Sequence, residues 1–484
     1  MSKSRHIPIV IIGSGFAGLG MAIRLRQAGI EDFAIFERAN DVGGVWRDNT
    51  YPGCACDVES HLYSFSFAPN AEWSRSFSPQ AEIHAYLRGC VEKFGLAPHL
   101  RFGHGLARAA WNDAERRWHL ETTQGLFTAD IFIGAVGGLN EPLYPEIPGR
   151  ESFAGVSFHS SRWNHSHDLA GQSVAVIGTG ASAAQFVPAI QPRVGKLSVF
   201  QRTPPWVMPR LDAAITERKK SRFRRSHFAL ASKRAAIYLQ REIFALPFFF
   251  PRLAQLGEQL ALHYLRRAVP DPVLRAKLTP RYRLGCKRVL VSDDFLPSLA
   301  KPNVEVVTEK IREIRPHSIV TADGVERAVD TIIYGTGFRI GDLPIAKQVF
   351  GRAGRSLDEH WNGTAWAHLG FALNGFPNFF LLLGPNTALG HSSVIMMMES
   401  HFEMTLAAIR HLREQGKTEI EPRADAERKF VARVDAKMRG TVWTAGGCKS
   451  WYLDASGRNF ALWPGFTFTF FRAARFRAAE YEVR

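Results

Sequence analysis

A chain of 484 residues, 46% apolar and 22% charged, has room for about three domain-sized units around a sizeable core, which excludes a disordered or fibrous protein. Its formal net charge of +16 favours anionic partners: nucleic acid, an acidic membrane surface or phosphate-bearing cofactors. The five cysteines are few for this length, and Cys54 and Cys56 stand too close for a structural disulfide, so a reducing cytoplasm is the simplest compartment.

The N-terminus lacks the charged, apolar and small-residue succession of a secretory signal. Its first apolar segment, Ile7 to Ile12, runs directly into Gly13-Ser-Gly15-Phe-Ala-Gly18, and the residues from Leu19 have helical apolar spacing. This reads as strand, tight turn and helix. In such a unit the first glycine permits the turn, the second lets the backbone approach a pyrophosphate, and the third brings helix against strand. Unpaired N–H groups at the helix start receive the phosphates. The next strand, Phe33 to Phe36, ends at Glu37, where a ribose-binding carboxylate belongs. The alternative is a glycine-rich turn in an unrelated sheet with Glu37 merely solvated; the paired context favours a dinucleotide, here FAD.

A second copy begins at Ser173-Val-Ala-Val-Ile and continues Gly178-Thr179-Gly180-Ala-Ser182-Ala183-Ala-Gln185, with Ala183 in the third small position. Its partner strand, Leu197 to Phe200, ends in Gln201-Arg202-Thr203 instead of an acid. A cation there suits a ribose carrying a 2′-phosphate, so the second cofactor is NADP; the alternative for Arg202 is an ordinary surface charge. Two units with opposite ribose chemistry predict electron flow from NADPH to a flavin in an α/β protein with two Rossmann-like dinucleotide-binding domains.

Residues 212–282 lack strand alternation and read as an inserted helical subdomain, with basic residues at Arg218, Lys219, Lys220, Arg222, Arg224 and Arg225. With Phe244, Phe248, Phe249 and Phe250 nearby, two readings stay open: an in-plane membrane contact, or a solvated helix face packed on the catalytic domains. The apolar stretch Ile243 to Phe250 is broken by Pro247 and falls short of the roughly 20 residues that span a bilayer. No nucleic-acid recognition motif accompanies the charge. There is no G-x-S-x-G elbow, and His159, His165 and His167 lack the carboxylate or cysteine neighbours of a metal site, so no metal is expected.

Further motifs follow in order: Gly43-Gly44-Val45-Trp46, continuing to Tyr51-Pro52-Gly53-Cys-Ala55-Cys56-Asp57; then Phe153-Ala-Gly155-Val-Ser-Phe-His159-Ser-Ser-Arg-Trp163-Asn164. Downstream stand Gly285-Cys-Lys287-Arg288, Gly335-Thr336-Gly337-Phe338, Gly384-Pro385, Trp451-Tyr452 and Trp463-Pro464-Gly465. Over nearly the whole chain this set resembles the type I Baeyer–Villiger monooxygenases of the flavin-containing monooxygenase superfamily. Asn164 stands where the family has Pro or Asp, and Gly335 where Ala is usual. Trp163 occupies a position at which N- and S-oxidising relatives usually carry Tyr or Phe.

The resemblance implies a discontinuous FAD domain, 1–145 plus 340–484 with a substrate-lining tail, and an NADP domain, 146–211 plus 283–339, interrupted by the helical insert 212–282. It implies insertion of one oxygen atom of O2 beside a ketone carbonyl, through a C4a-peroxyflavin, to give an ester or lactone. By the same resemblance Arg288 is the fixed cation beside the flavin and Asp57 the carboxylate that positions it; the alternative is a structural ion pair. Gly44, Val45, Trp46, Asp57 and Tyr63 join Gly13, Gly15, Gly18 and Glu37 around FAD. Ala55, Cys56, Lys287 and Trp451 join the second glycine unit, Arg202 and Thr203 around NADP. Phe153, Gly155, His159 and Trp163 couple the cofactor domains, with His159 equally readable as a buried core histidine. The tail aromatics Trp443, Trp451, Tyr452, Trp463, Phe466 and Phe468 either line a substrate chamber or fill a core. N- or S-oxygenation and a non-catalytic redox sensor remain as alternatives.

Overall fold

The computed structural model describes residues 4–341 and 343–484. The apolar run Ile9–Ile12 forms a strand buried on both faces: Ile9 and Ile11 belong to one core cluster, Val10 and Ile12 to another. Such two-sided burial is what a parallel sheet flanked by two layers requires. The strand sits at the centre of a parallel sheet in the order Phe379–Leu381, Ile131–Gly134, Ile9–Ile12, Phe33–Phe36, Leu100–Arg101. Ile9 is in register with Phe33 on one side and Ile131 on the other. On one face lies the helix Phe16–Gln27, itself packed on the long helix Val394–Gln415. The other face meets a mixed sheet that includes Leu106–Asn112 and Arg117–Thr122, with Trp111, Trp118, Phe132 and Phe379 filling the space between.

A second parallel sheet has the order Val304–Val307, Lys196–Phe200, Ser173–Ile177, Thr331–Tyr334, Val156–His159. Its helix Ala181–Ile190 starts directly after Gly180, as the first sheet's helix starts after Gly15. Each glycine motif therefore lies at the carboxyl end of a central strand, where ligands of open α/β sheets bind.

Five helices fill the insert: Glu217–Arg225, His227–Phe244, Leu246–Phe249, Ala254–Ala268 and Pro272–Lys277. Ser226 caps the second by accepting the Ala229 N–H, and Asp271 caps the last by accepting those of Val273 and Leu274. The insert is tied to the first domain by Arg241–Glu59 at 2.6 Å and by Arg234, which donates to the carbonyls of His61 and Ser64. The four phenylalanines divide between the two readings. Phe244 and Phe250 are exposed, but Phe248 is buried and Phe249 packs edge-on against Trp443 and Phe466, because the short helix Leu246–Phe249 turns one side to the tail. Among the described residues no helix is long and apolar enough to cross a membrane.

A disulfide is present that the reading of a reducing compartment did not anticipate. Cys286 and Cys448, 162 residues apart, form a disulfide with Cα atoms 6.1 Å apart, while Cys54, Cys56 and Cys90 are free and buried. Spacing along the chain hides such a pair; only the approach of the tail to the Arg283–Arg288 segment brings it together.

Candidate active site

In the first unit Gly18 is forced by packing, since a side chain there would run into the carbonyl of Gly13. Gly15 caps the helix Phe16–Gln27 without any side-chain acceptor, which leaves the first-turn N–H groups for a phosphate. Gly44, at φ +53°, brings its backbone to the Cα of Gly15, where an added Cβ would lie 3.2 Å away. These bare backbones form a cradle that fits a pyrophosphate. Glu37 is buried, its Oε2 accepting from Ser14 N at 3.1 Å and Ser14 Oγ at 2.8 Å, its Oε1 from Ala39 N at 2.9 Å, with Arg47 at 3.1 Å. Burial opposes ionisation, but the Ala39 and Ser14 donors and Arg47 outweigh it and hold the carboxyl below its usual range. A ribose hydroxyl must share an oxygen with these donors or displace the Ser14 hydroxyl. Trp46 donates from Nε1 to the Tyr63 hydroxyl at 3.1 Å, and Tyr63 packs edge-on against Phe16, so these residues gather at the start of the same helix. Val45 is half-buried beside them.

In the second unit Thr179 and Ala183 are buried and Ser182 is half-buried, at the start of the helix that Gly180 opens. Gln185, read from its spacing as a cofactor contact, is occupied otherwise. Its Oε1 accepts from the Tyr51 hydroxyl at 3.0 Å and from Ala55 N at 3.3 Å, and its Nε2 donates to Ala55 O at 2.9 Å. The amide thus clamps the second unit's helix to the first domain. Cys56 is likewise held by backbone, donating to Ser78 O and accepting from Arg210 Nη2. An open cleft of about 320 Å³, lined by Tyr51, Cys54, Ala55, Arg75, Phe77 and Arg210, lies along this junction.

Arg202 is exposed and has no ion pair among the described residues. Half-buried Lys287, its ammonium 5.1 Å from the Tyr282 ring centre, feels it: burial first, then repulsion from Arg202, depresses the lysine pKa. Two neighbouring cations without a counter-ion among the described residues make a locally positive patch that attracts anions, and Thr203 follows Arg202 on the same loop.

Arg288 forms a fork with Asp57, Nε to Oδ2 at 2.8 Å and Nη2 to Oδ1 at 2.7 Å. Asp57 raises the arginine's affinity for its proton, and Arg288 in turn overcomes burial to hold the carboxyl below its usual range. The guanidinium is therefore a permanent cation of fixed orientation, still partly open to solvent. The segment that carries it is anchored three ways. Gly285, at φ +93°, has no room for a side chain against Phe248; Arg283 N donates to Gly446 O at 3.0 Å; and Cys286 is bonded to Cys448.

At the junction of the two domains, Phe153 joins the apolar layer of the second sheet and Gly155 passes against the Asp330 backbone. Trp163 packs on Phe158 and Phe186. His159 is fully buried; its Nδ1 accepts the Ser161 N–H at 3.1 Å, which leaves the proton on Nε2, an atom with no partner among the described residues. Burial lowers its pKa to about 4, so the ring is neutral and suits a linking role, not proton transfer. Of the tail aromatics, Trp443, Tyr452 and Trp463 are buried, Phe466 is half-buried, and Trp451 and Phe468 are exposed. Tyr452, readable from sequence as either a chamber or a core aromatic, lies beside Arg288 and Asp57. Among the described residues no three His, Cys, Asp or Glu side chains cluster as metal ligands would.

Residues 10–226 match the family model "Pyridine nucleotide-disulphide oxidoreductase". A Baeyer-Villiger monooxygenase of Streptomyces coelicolor is 51% identical over 99% of this chain and 93% of its own length. Another, of Pseudomonas aeruginosa, is 47% identical over 100% of this chain and 92% of its own. Among solved structures, the closed crystal structure of cyclohexanone monooxygenase aligns with a TM-score of 0.89 at 26% identity, covering 100% of both chains. An oxidised steroid monooxygenase bound to NADP aligns at 0.88 and 27%, covering 99% of both. The glycine cradles, the paired cations and the Asp57–Arg288 fork stand on a fold and a sequence shared end to end with these proteins, and the chain belongs to the Baeyer–Villiger monooxygenases.

Proposed function

We propose that this enzyme converts a ketone to an ester or lactone with FAD, NADPH and O2, and that the Asp57–Arg288 fork is the observation that carries this chemistry. One oxygen atom enters the product beside the carbonyl carbon, the other leaves as water, and NADPH with a proton supplies the two electrons. The flavin, when bound and reduced, supplies the activated oxygen. The chain supplies charge and position. Arg288 stabilises negative charge on the oxygens that form beside it, and Asp57 keeps the guanidinium aimed there. Gly13, Gly15, Gly18, Glu37, Gly44, Val45, Trp46 and Tyr63 hold FAD in residues 1–145 and 340–484. Gly178, Thr179, Gly180, Ser182, Ala183, Arg202, Thr203, Lys287 and Trp451 hold NADP, mainly in residues 146–211 and 283–339. Gln185, Ala55 and Cys56 set the junction over which the nicotinamide reaches the flavin. A panel of linear, cyclic and aryl ketones with thioethers as controls tests the reading, with NADPH consumption and product both measured. Ester or lactone from at least one ketone is expected; sulfoxide alone would transfer the enzyme to the S-oxygenating class.

A peripheral contact with an anionic lipid surface is proposed for the helical insert. Phe228, Leu239, Ile243 and Phe244 on the helix His227–Phe244 and Leu253, Leu256 and Leu260 around the start of the helix Ala254–Ala268 are exposed, Phe228 to 82%. Residues 212–282 carry fifteen Lys and Arg against five Asp and Glu, so +10 of the chain's +16 lies in this module. Apolar side chains flanked by cations complement an acidic bilayer, whereas two copies meeting on this face would oppose like charges. The enzyme is expected to sediment with phosphatidylglycerol vesicles but not phosphatidylcholine ones, and Leu239→Glu with Leu256→Glu to abolish this. Equal behaviour on both vesicles, or a dimer broken by the same substitutions, would overturn it.

A further inference from the structure

Tyr452 is 1% exposed; Arg288 lies on its hydroxyl oxygen as a donor, and the hydroxyl's own proton has no acceptor among the described residues. A buried phenol normally finds an acceptor, and of the buried tyrosine hydroxyls without one among the described residues, those of Tyr334, Tyr452 and Tyr481, only that of Tyr452 faces Arg288 and Asp57. Its ring lies in the apolar cluster of Trp443, Phe460 and Leu462 that joins tail and insert. The charged groups facing the hydroxyl are Arg288 and Asp57, and burial pushes its pKa up to about 12, so it keeps its proton and acts as a donor, never a base.

Its position is set by the chain around it. The Cys286–Cys448 disulfide joins the tail four residues before Tyr452 to the loop two residues before Arg288. Tyr452 N donates to Ser450 Oγ, and Tyr452 O accepts from Phe460 N. Neighbouring Trp451 points outward, 43% exposed, with its ring centre 4.3 Å from that of Tyr452, so adjacent residues serve opposite sides of the segment.

We propose that the Tyr452 hydroxyl is a second hydrogen-bond donor to the ketone's carbonyl oxygen, placed beside the Arg288 guanidinium; this rests on the ketone-oxidising reading above. One oxygen held next to Arg288 satisfies both groups: the cation meets its charge, and the orphaned O–H acquires an acceptor. The contact strengthens as charge moves onto that oxygen, so it acts on turnover as well as on binding.

Tyr452→Phe removes a hydroxyl whose proton goes to no acceptor among the described residues. The variant is expected to keep wild-type FAD content, NADP+ affinity and a near-wild-type Tm. Ester formation from a ketone should fall about tenfold or more, mostly in kcat, while sulfoxide formation from a thioether, which has no carbonyl oxygen, changes less than about twofold. The ester-to-sulfoxide ratio within one preparation cancels any loss of folded enzyme. In parallel, tryptophan fluorescence compares binding of a lactone with that of the cyclic ether of the same ring size, and the variant should lose the wild type's preference for the lactone. A variant that keeps both the ratio and that preference would overturn the proposal, as would a lowered Tm with ketone and thioether activities falling together. A wild type that makes no ester would instead remove the ketone reading itself.

Discussion

Arg288→Ala is expected to fold, load FAD and still consume NADPH, while ester formed per NADPH drops by about two orders of magnitude or more, the scale set by removing an oxyanion donor. FAD content should survive because the cradle of Gly15, Gly44 and Glu37 makes no use of this side chain. Product should not, because the arginine is the cation whose Nε and Nη2 are held by Asp57 in a fixed fork. Arg288→Lys retains charge but cannot form the fork, so it should recover little. Asp57→Asn separates position from charge: the guanidinium stays ionised but loses its anchor, and an intermediate loss is expected. The quantity to measure is ester or lactone per NADPH at matched flavin content, with absorbance confirming the bound FAD. An FAD-loaded Arg288→Ala enzyme with wild-type rate and coupling would take the arginine out of the chemistry.

Both parallel sheets were legible because each begins with an uninterrupted apolar strand followed by a glycine turn, a pattern that needs only local sequence. Ile9–Ile12 and Ser173–Ile177 are such strands, and the partners ending at Glu37 and Gln201 lie where the ladder puts them. What sequence could not convey was contact between segments distant along the chain. Gln185 has the spacing of a cofactor ligand, and nothing local says that its amide also bonds Tyr51 and Ala55, more than 100 residues earlier. Cys286 and Cys448 did leave a trace, since each sits in a Gly-Cys-Lys triplet, but nothing local says that the two triplets meet. For the phenylalanines at 244, 248, 249 and 250 the choice between surface and packing stayed open for a similar reason. A short helix, Leu246–Phe249 with Pro247 in its first turn, divides them between core and solvent, and which side wins depends on the tail that covers them. Tyr452 shows the same limit at the site: its hydroxyl matters only through neighbours brought from positions 57 and 288.

Arg202→Ala is expected to weaken NADPH binding about ten- to a hundredfold while leaving NADH nearly unchanged, the scale of one charge-assisted hydrogen bond. The reason is the placement of Arg202 beside Lys287, with no acid paired to either among the described residues, a repulsion that a bound anion relieves. Lys287→Ala should behave alike, and the double variant should approach equal affinity for the two cofactors. The depressed pKa of Lys287 adds a signature in pH. A bound 2′-phosphate favours the protonated lysine and raises its pKa, so free enzyme above the depressed value must take up a proton to bind. NADPH affinity should therefore be flat at neutral pH and fall as pH rises through that value, below the ordinary lysine range, whereas NADH affinity stays flat. Removing Arg202 relieves the repulsion and should move the fall to higher pH. Fluorescence or flavin-absorbance titrations of both cofactors across pH 7 to 10, on wild type and the two single variants, measure all of this. Wild-type affinities that are equal for NADPH and NADH, or a preference untouched by either substitution, would place the phosphate elsewhere than between Arg202 and Lys287.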